Sequence, residues 1–228
     1  MSITIGIIGG LGPEGTVHYY RKLIKYFGGW VKRPGIIIDQ IWMDRFASLM
    51  RDGAEREIEE LFLAALHRVQ RAGANFAIIA AITPHKFLAN IQGKVPLPVI
   101  DIVEATRQTI CAAGYRRIGL LGTRLTLTDR FFREPMEASG ISIQIPDESG
   151  IAYLDKLIFG NLASGIKTED MRSEIAAIIE KMCQQAAIDC LVVACTDLFD
   201  LLDTDIPLVD PIDSHINMVG QLCSELSN

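Results

Sequence analysis

The chain lacks several features that would mark it as a particular broad class of protein. Its five cysteines, Cys111, Cys183, Cys190, Cys195 and Cys223, are odd in number and contain no Cys-x-x-Cys pair. That pattern excludes a disulfide framework and offers no metal-type spacing, so the thiols read as reduced, in a cytoplasmic protein with no metal. Aromatic residues make up only 7%, too few for a base-stacking platform. The net charge of −6 comes with no basic run, so no nucleic-acid partner is expected. No apolar run is long enough to span a bilayer, and no membrane partner is expected. Met1-Ser2-Ile3-Thr4 leads into an apolar stretch without a basic n-region, so no signal peptide is expected.

What is present is apolar material in short, punctuated runs. Of 228 residues, 49% are hydrophobic, enough for one large or two small domains. Apolar strands are expected at Ile3 to Ile8, Gly35 to Trp42, Asn75 to Ala81, Pro98 to Asp101, Arg117 to Leu121, Ser142 to Ile145, the run ending at Cys195, and Leu208 to Asp210. Between them the spacing predicts helices from Pro13 to about Tyr26, Glu55 to Ala72, Glu104 to Ala113, from about Thr128, Ile151 to Gly160, Thr168 to Ala187, and His215 to Leu226. Strands alternating with helices imply mostly parallel sheets with right-handed crossovers.

The two halves of the chain match each other. Ile5-Gly6-Ile7-Ile8-Gly9 is similar to Ile118-Gly119-Leu120-Leu121-Gly122. The stretch Gly73 to Ala81 is similar to Ala187 to Cys195, and Leu97-Pro98-Val99-Ile100-Asp101 to Ile206-Pro207-Leu208-Val209-Asp210. The offsets are 113, 114 and 109 residues, so three landmarks keep their order, as an internal duplication would. The expected fold is α/β, with two pseudo-symmetric three-layer lobes and an active site in the cleft between them. The lobes are expected at 1–98 with 208–228, and at 99–207, with Ala81 opposite Cys195.

Leu191-Val192-Val193-Ala194-Cys195-Thr196-Asp197 carries the chemistry most plainly. An apolar run without alternation suits a strand covered on both faces, and ligands in open α/β sheets bind at strand carboxyl ends. A helix starting just after Cys195 would favour its thiolate. Cysteine is also a common inert core residue, so position alone does not decide. Arg45 reads equally as a surface residue paired with Asp44 or Glu60. Thr83 before Pro84 reads as a turn residue, and His85 as a helix-start or core histidine. Thr123 and Thr126 suit helix starts. His215 suits a structural partner for Asp210, while Asp101 and Asp210 suit either the domain junction or chemistry.

With these residues in view, the whole chain resembles the cofactor-independent aspartate/glutamate racemase superfamily. Gly9-Gly10-Leu11-Gly12-Pro13-Glu14-Gly15-Thr16 resembles the opening of its aspartate racemase branch. Asp44-Arg45 stands where that branch has an arginine that holds a substrate carboxylate. Ala81-Ile82-Thr83-Pro84-His85 is similar to the family's Cys-Asn-Thr-x-His, Leu121-Gly122-Thr123-Arg124 to its Leu-Gly-Thr, and Ala194-Cys195-Thr196-Asp197 to its Gly-Cys-Thr-Glu. The resemblance implies a homodimer, no cofactor, and an amino-acid substrate, Asp or Glu. It implies Cys195 as catalytic, with Gly10, Leu11, Arg45, Ile82, Thr83, His85, Thr123, Thr126, Thr196 and His215 around the substrate, and Thr83 is the candidate for a second catalytic group.

The family pattern has two cysteines, one for each face of the substrate Cα. Here the first is Ala81 and the asparagine after it is Ile82. Thr83, or more remotely His85, takes over the second face, or the enzyme does one-faced chemistry such as decarboxylation or isomerisation. A catalytically inactive amino-acid-binding protein is a further reading. A rival from another class is an NAD-binding oxidoreductase. Gly10-Leu11-Gly12-Pro13-Glu14-Gly15 fits Gly-x-Gly-x-x-Gly, with Asp39 at the distance of a ribose-binding acid. Pro13 and Glu14 weigh against it by removing an N–H and adding negative charge where pyrophosphate would sit.

Overall fold

Ile5, Ile7 and Ile8 are wholly buried, and the strand that holds them, β1 (Thr4–Gly9), lies between two others. It pairs in parallel with β2 (Gly35–Gln40) on one side and β3 (Phe76–Ile79) on the other. A central strand of this kind meets apolar neighbours on both faces, which is why its sequence shows no polar alternation. The edge strand β2 is only partly covered. The computed structural model describes residues 3–162 and 166–227. It forms two units, Met1–Ile102 with His215–Asn228, and Val103–Ser214.

In the first unit, β1 leads into α1 (Pro13–Phe27), whose Tyr19, Leu23 and Phe27 are buried. After β2 come α2 (Met43–Arg51) and α3 (Glu55–Arg71). Ile58, Phe62, Ala65, Leu66 and Val69 of α3 form one apolar face, which packs with Ile8, Ala77 and Ile79 in a common core. Burying each large member of that face contributes roughly 1.5–3 kcal/mol. Beyond β3 a 3-10 turn, Thr83–Phe87, and the short α4 (Leu88–Ile91) close the unit's first segment.

The second unit opens with α5 (Ile102–Ala112) and β4 (Arg117–Leu121). It continues through α6 (Arg124–Thr128), α7 (Arg130–Ala138), β5 (Ser142–Gln144), α8 (Glu148–Phe159), α9 (Glu169–Gln185), β6 (Cys190–Val193) and β7 (Leu208–Val209). Its sheet has the order β5-β4-β6-β7, all parallel. The last helix, α10 (Pro211–Ser227), returns the chain to the first unit.

The architecture is α/β, with two parallel sheets forming two lobes, and the duplication is visible in its hydrogen bonds. In the first lobe Ala77 takes a bond from Ile100 N–H and gives one to Pro98 O, as an isolated parallel bridge to Val99. In the second, Leu191 N–H donates to Pro207 O in the same way, and there the pairing extends into β7. The expected strand at Pro98 to Asp101 is therefore a single bridge. The expected helix from about Thr128 is two helices, because Asp129 adopts an extended conformation and caps α7 by accepting from Phe131 N–H. The expected strand Gly35 to Trp42 stops at Gln40, and its tail leads into α2, which the sequence reading left out. Among the described residues no helix is long and apolar enough to cross a membrane.

The turn after β1 is the tightest point in the first lobe. Gly10 has φ of 86°, and a Cβ there would lie 2.1 Å from the Ile41 carbonyl oxygen. Gly53 also has positive φ, 64°, but opens onto empty space. Gly53→Ala is expected to cost about 1 kcal/mol from backbone strain alone. Gly10→Ala adds the clash and is expected to cost about 3 kcal/mol or more, read from urea unfolding midpoints of the two variants.

Candidate active site

The candidate residues of the first lobe gather at the carboxyl ends of its strands. Gly10 N–H donates to Thr16 Oγ1 at 2.9 Å, so Thr16 folds the Gly9-to-Gly12 loop over the start of α1. Leu11 lies buried in that loop. Beside it, Ala80 N–H donates to Ile8 O at 2.8 Å and ends the β1–β3 ladder. Ala81 follows, half-buried and packed against the apolar core. Ile82 is half-buried, and Thr83 opens the 3-10 turn with Pro84 behind it. Arg45 is exposed in the first turn of α2, where its backbone N–H donates to Asp44 Oδ1. Its guanidinium has no ion pair among the described residues. Glu60, one partner expected for it, instead pairs with Arg56.

His85 and His215 sit together beneath this end of the lobe. His85 Nδ1 lies 3.1 Å from Asp101 Oδ1, so that nitrogen carries the proton toward the carboxylate. Its Nε2 is buried without a hydrogen-bond partner. The His215 ring packs edge-on to it, with centroids 5.9 Å apart. His215 is wholly buried, and its Nε2 lies 3.0 Å from Ile100 O, so Nε2 is the donor. Nδ1 then accepts from the Tyr19 hydroxyl at 2.9 Å. Both ring nitrogens are taken, so Asp210 is not the partner expected from sequence; its carboxylate caps Ile212 N–H instead. Burial, with the nearby His85, pushes His215 down to about 3 and keeps it neutral.

The second lobe repeats the arrangement. Leu121 faces Val193 across the β4–β6 ladder, and Ala194 N–H donates to Leu121 O at 2.7 Å. A Cβ on Gly122 would stand 3.1 Å from Ala194 Cβ, so these strand ends touch. The next residue on each strand is Thr123 and Cys195. Thr123 caps α6, accepting from Thr126 N–H, with the two hydroxyl oxygens 3.2 Å apart. Thr126 is buried. Cys195 is partly exposed and extended, and none of the five cysteines is in a disulfide. The helix expected after Cys195 is a six-residue 3-10 turn, Thr196–Leu201, whose few aligned peptides give only a small dipole. The side chain of Thr196 lies outside the described residues.

Asp39, the acid the dinucleotide reading needs, is held by Arg68 in a two-pronged pair at 2.6 and 2.7 Å. That pairing ties β2 to α3 and removes Asp39 from any ribose. The sequence reading also missed Tyr19 and the Asp101–His85 pairing. Asp101 stood out through its matched Pro-containing segment, but nothing in the sequence signalled Tyr19.

A sequence profile described as Asp/Glu/Hydantoin racemase matches residues 8–219. The chain belongs to that family. The expected enzyme class, racemase, is the family's own. A curated relative, the broad specificity amino-acid racemase RacX of Bacillus subtilis (strain 168), is 23% identical over 217 residues, covering 90% of this chain and 92% of RacX. Among solved structures, a candidate Asp/Glu racemase from Yersinia pestis superposes with a TM-score of 0.88 at 27% identity, covering 98% of this chain and all of that one. PH1733, an aspartate racemase homologue from Pyrococcus horikoshii OT3, gives 0.83 at 29% identity, covering 97% and 99%.

The unfolded chain protonates His215 near its ordinary value of 6.5, whereas the folded chain resists down to about 3. Stability is therefore expected to fall as pH drops below 6.5, by up to about 1.4 kcal/mol per pH unit, and His215→Gln is expected to flatten that slope in urea titrations between pH 7.5 and 4.5. Burial also raises the Cys190 thiol to about 12 and Cys223 to about 11. Iodoacetamide is expected to label the partly exposed Cys195 well before either, as read by mass spectrometry of timed digests.

Proposed function

We propose that the chain is a cofactor-independent amino-acid racemase acting on aspartate or glutamate, with Cys195 as the acid–base group. The observation that carries this reading is Cys195 beside Thr123 at adjoining strand ends, in a chain of the racemase family. The relatives' names support an amino-acid substrate, and the exposed guanidinium of Arg45 supports a dicarboxylic one. A carboxylate held there would be bound through two parallel hydrogen bonds. The five thiols outside any disulfide support a reducing, cytoplasmic setting, and the family resemblance supports a homodimer.

In the proposed reaction the Cys195 thiolate takes the proton from Cα. The developing negative charge on the carboxylate is stabilised by fixed donors, with Thr123 and backbone N–H groups as candidates. The hydroxyl of Thr83 delivers a proton to the other face. Water then returns a proton to Thr83 and removes one from Cys195, so the balance closes. A hydroxyl is a far weaker acid than a thiol, so delivery by Thr83 is the slow half. The substitution at Ala81 therefore favours a second reading, in which hydrogen at Cα exchanges on one face only.

Incubation of the protein with L- and D-aspartate and glutamate in D2O separates the two. Deuterium at Cα with inversion is expected for racemisation, and deuterium without inversion for one-faced chemistry. Cys195→Ala is expected to abolish both. Ala81→Cys, combined with Ile82→Asn to relieve the apolar surroundings of the new thiol, is expected to raise inversion by about 10²–10⁴-fold. Absence of exchange in the native protein and in the double variant would sink the racemase reading.

A further inference from the structure

We propose that the outer face of α1 and the turn that follows it form a docking surface for an anionic lipid bilayer. Between Gly15 and Ile38 the chain has five basic residues, Arg21, Lys22, Lys25, Lys32 and Arg33, and no acidic one. The rest of the chain carries 17 basic and 28 acidic residues, a balance of −11. A strongly positive segment therefore stands on an acidic protein. No more than two of its cations are adjacent, so neither net charge nor a search for basic runs exposes it.

The same segment presents apolar side chains to solvent. The inner face of α1 is spent on Tyr19, Leu23 and Phe27. Val17, Tyr20 and Ile24, spaced as one stripe of a helix, are 40%, 44% and 51% exposed on its outer side. Arg21 and Lys25, both exposed, flank that stripe. Beyond the helix, Val31 is fully exposed, with Lys32 and Arg33 next to it. The turn is braced rather than loose. Trp30 packs on Phe27 with ring centroids 4.8 Å apart, and the Arg33 guanidinium donates to the Gly28 and Trp30 carbonyls. Those carbonyls are neutral, and Arg33 has no ion pair among the described residues.

The combination of charge and exposed aliphatic surface selects the partner. Nucleic-acid phosphates would satisfy the cations but give Val31, Ile24 and Val17 nothing to bury against. A second copy meeting the same face about a twofold axis would bury them, but would bring two positive segments together. An anionic bilayer satisfies both, with headgroups against the cations and the interface against the apolar tips.

The test uses the full-length protein and sucrose-loaded vesicles, either pure phosphatidylcholine or phosphatidylcholine mixed with phosphatidylglycerol. Co-sedimentation is expected with the mixed vesicles at low salt, release at high salt, and none with the neutral vesicles. Arg21→Gln with Lys25→Gln is expected to lower partitioning roughly 25-fold, at about fivefold for each cation removed. Lys32→Gln tests the turn separately. Ile24→Ser with Val31→Ser is expected to weaken vesicle binding while leaving retention on heparin unchanged. No binding to the mixed vesicles, or equal binding to the neutral ones, overturns the proposal. So does duplex DNA binding in place of vesicle binding, or a dimer in light scattering that Arg21→Glu with Lys25→Glu dissociates. Because none of these residues belongs to the candidate active site, racemase activity is read independently.

Discussion

The Ala80 amide donates to the Ile8 carbonyl at 2.8 Å, and the Ala194 amide to the Leu121 carbonyl at 2.7 Å. These are the last rungs of the β1–β3 and β4–β6 ladders, one in each lobe, and the candidate residues of each lobe depend on the rung before them. A parallel ladder fixes where both strands stop. The residues just after the final rung leave the sheet side by side: Gly10 with Ala81 in one lobe, Thr123 with Cys195 in the other. Chemistry-bearing side chains need positions set to within a fraction of an ångström. A buried apolar strand pair supplies that rigidity, which a loop alone would not.

The strand ends that carry those rungs are legible in the sequence, because Ile8 and Leu121 fall at matching places in the two halves. So are β4, whose expected bounds at Arg117 and Leu121 coincide with those in the structure, and the long amphipathic α3. Periodicity is a strong signal over many residues. The turns after β3 and β6 were not readable. Thr83-Pro84-His85 and Thr196-Asp197-Leu198 suit a helix start, a turn or a 3-10 segment equally, and tertiary packing chooses among them. α2 was missed because Trp42 and Met43 prolong the apolar look of β2. Side-chain partners such as Tyr19 with His215, 196 residues apart, have no local signature at all.

Ala81 is where the chain departs most from the pattern its family suggests. The residue packs against the first lobe's core, and Ile82 beside it is half-buried and apolar. An apolar surrounding disfavours a thiolate, so Ala81 and Ile82 act in the same direction. Neither side chain can bear a charge. At the matching place in the second lobe Cys195 is partly exposed, and the residue facing it one rung beyond the ladder is the polar Thr123. Chemical asymmetry has thus been laid over a symmetric backbone. That is physically inexpensive, because the strand ladder does not depend on which small side chain follows its last rung.

Net charge is a poor guide to what such a chain attracts. At −6 overall it should repel a dicarboxylic amino acid and an anionic surface alike. Screening limits that repulsion to roughly 8–10 Å, so an approaching anion responds to the nearest side chains rather than to the total. At the first lobe's strand ends the relevant neighbour is Arg45, whose partners by sequence, Asp44 and Glu60, are turned to other work. Along α1 the relevant neighbours are Arg21, Lys25 and Lys32, with Glu14 and Asp39 the nearest acids along the chain, and Asp39 already neutralised by Arg68. The Arg68–Asp39 pair therefore does two things at once. It anchors the edge strand to α3, and it leaves Asp39 with no net charge to offer an approaching anion or cation.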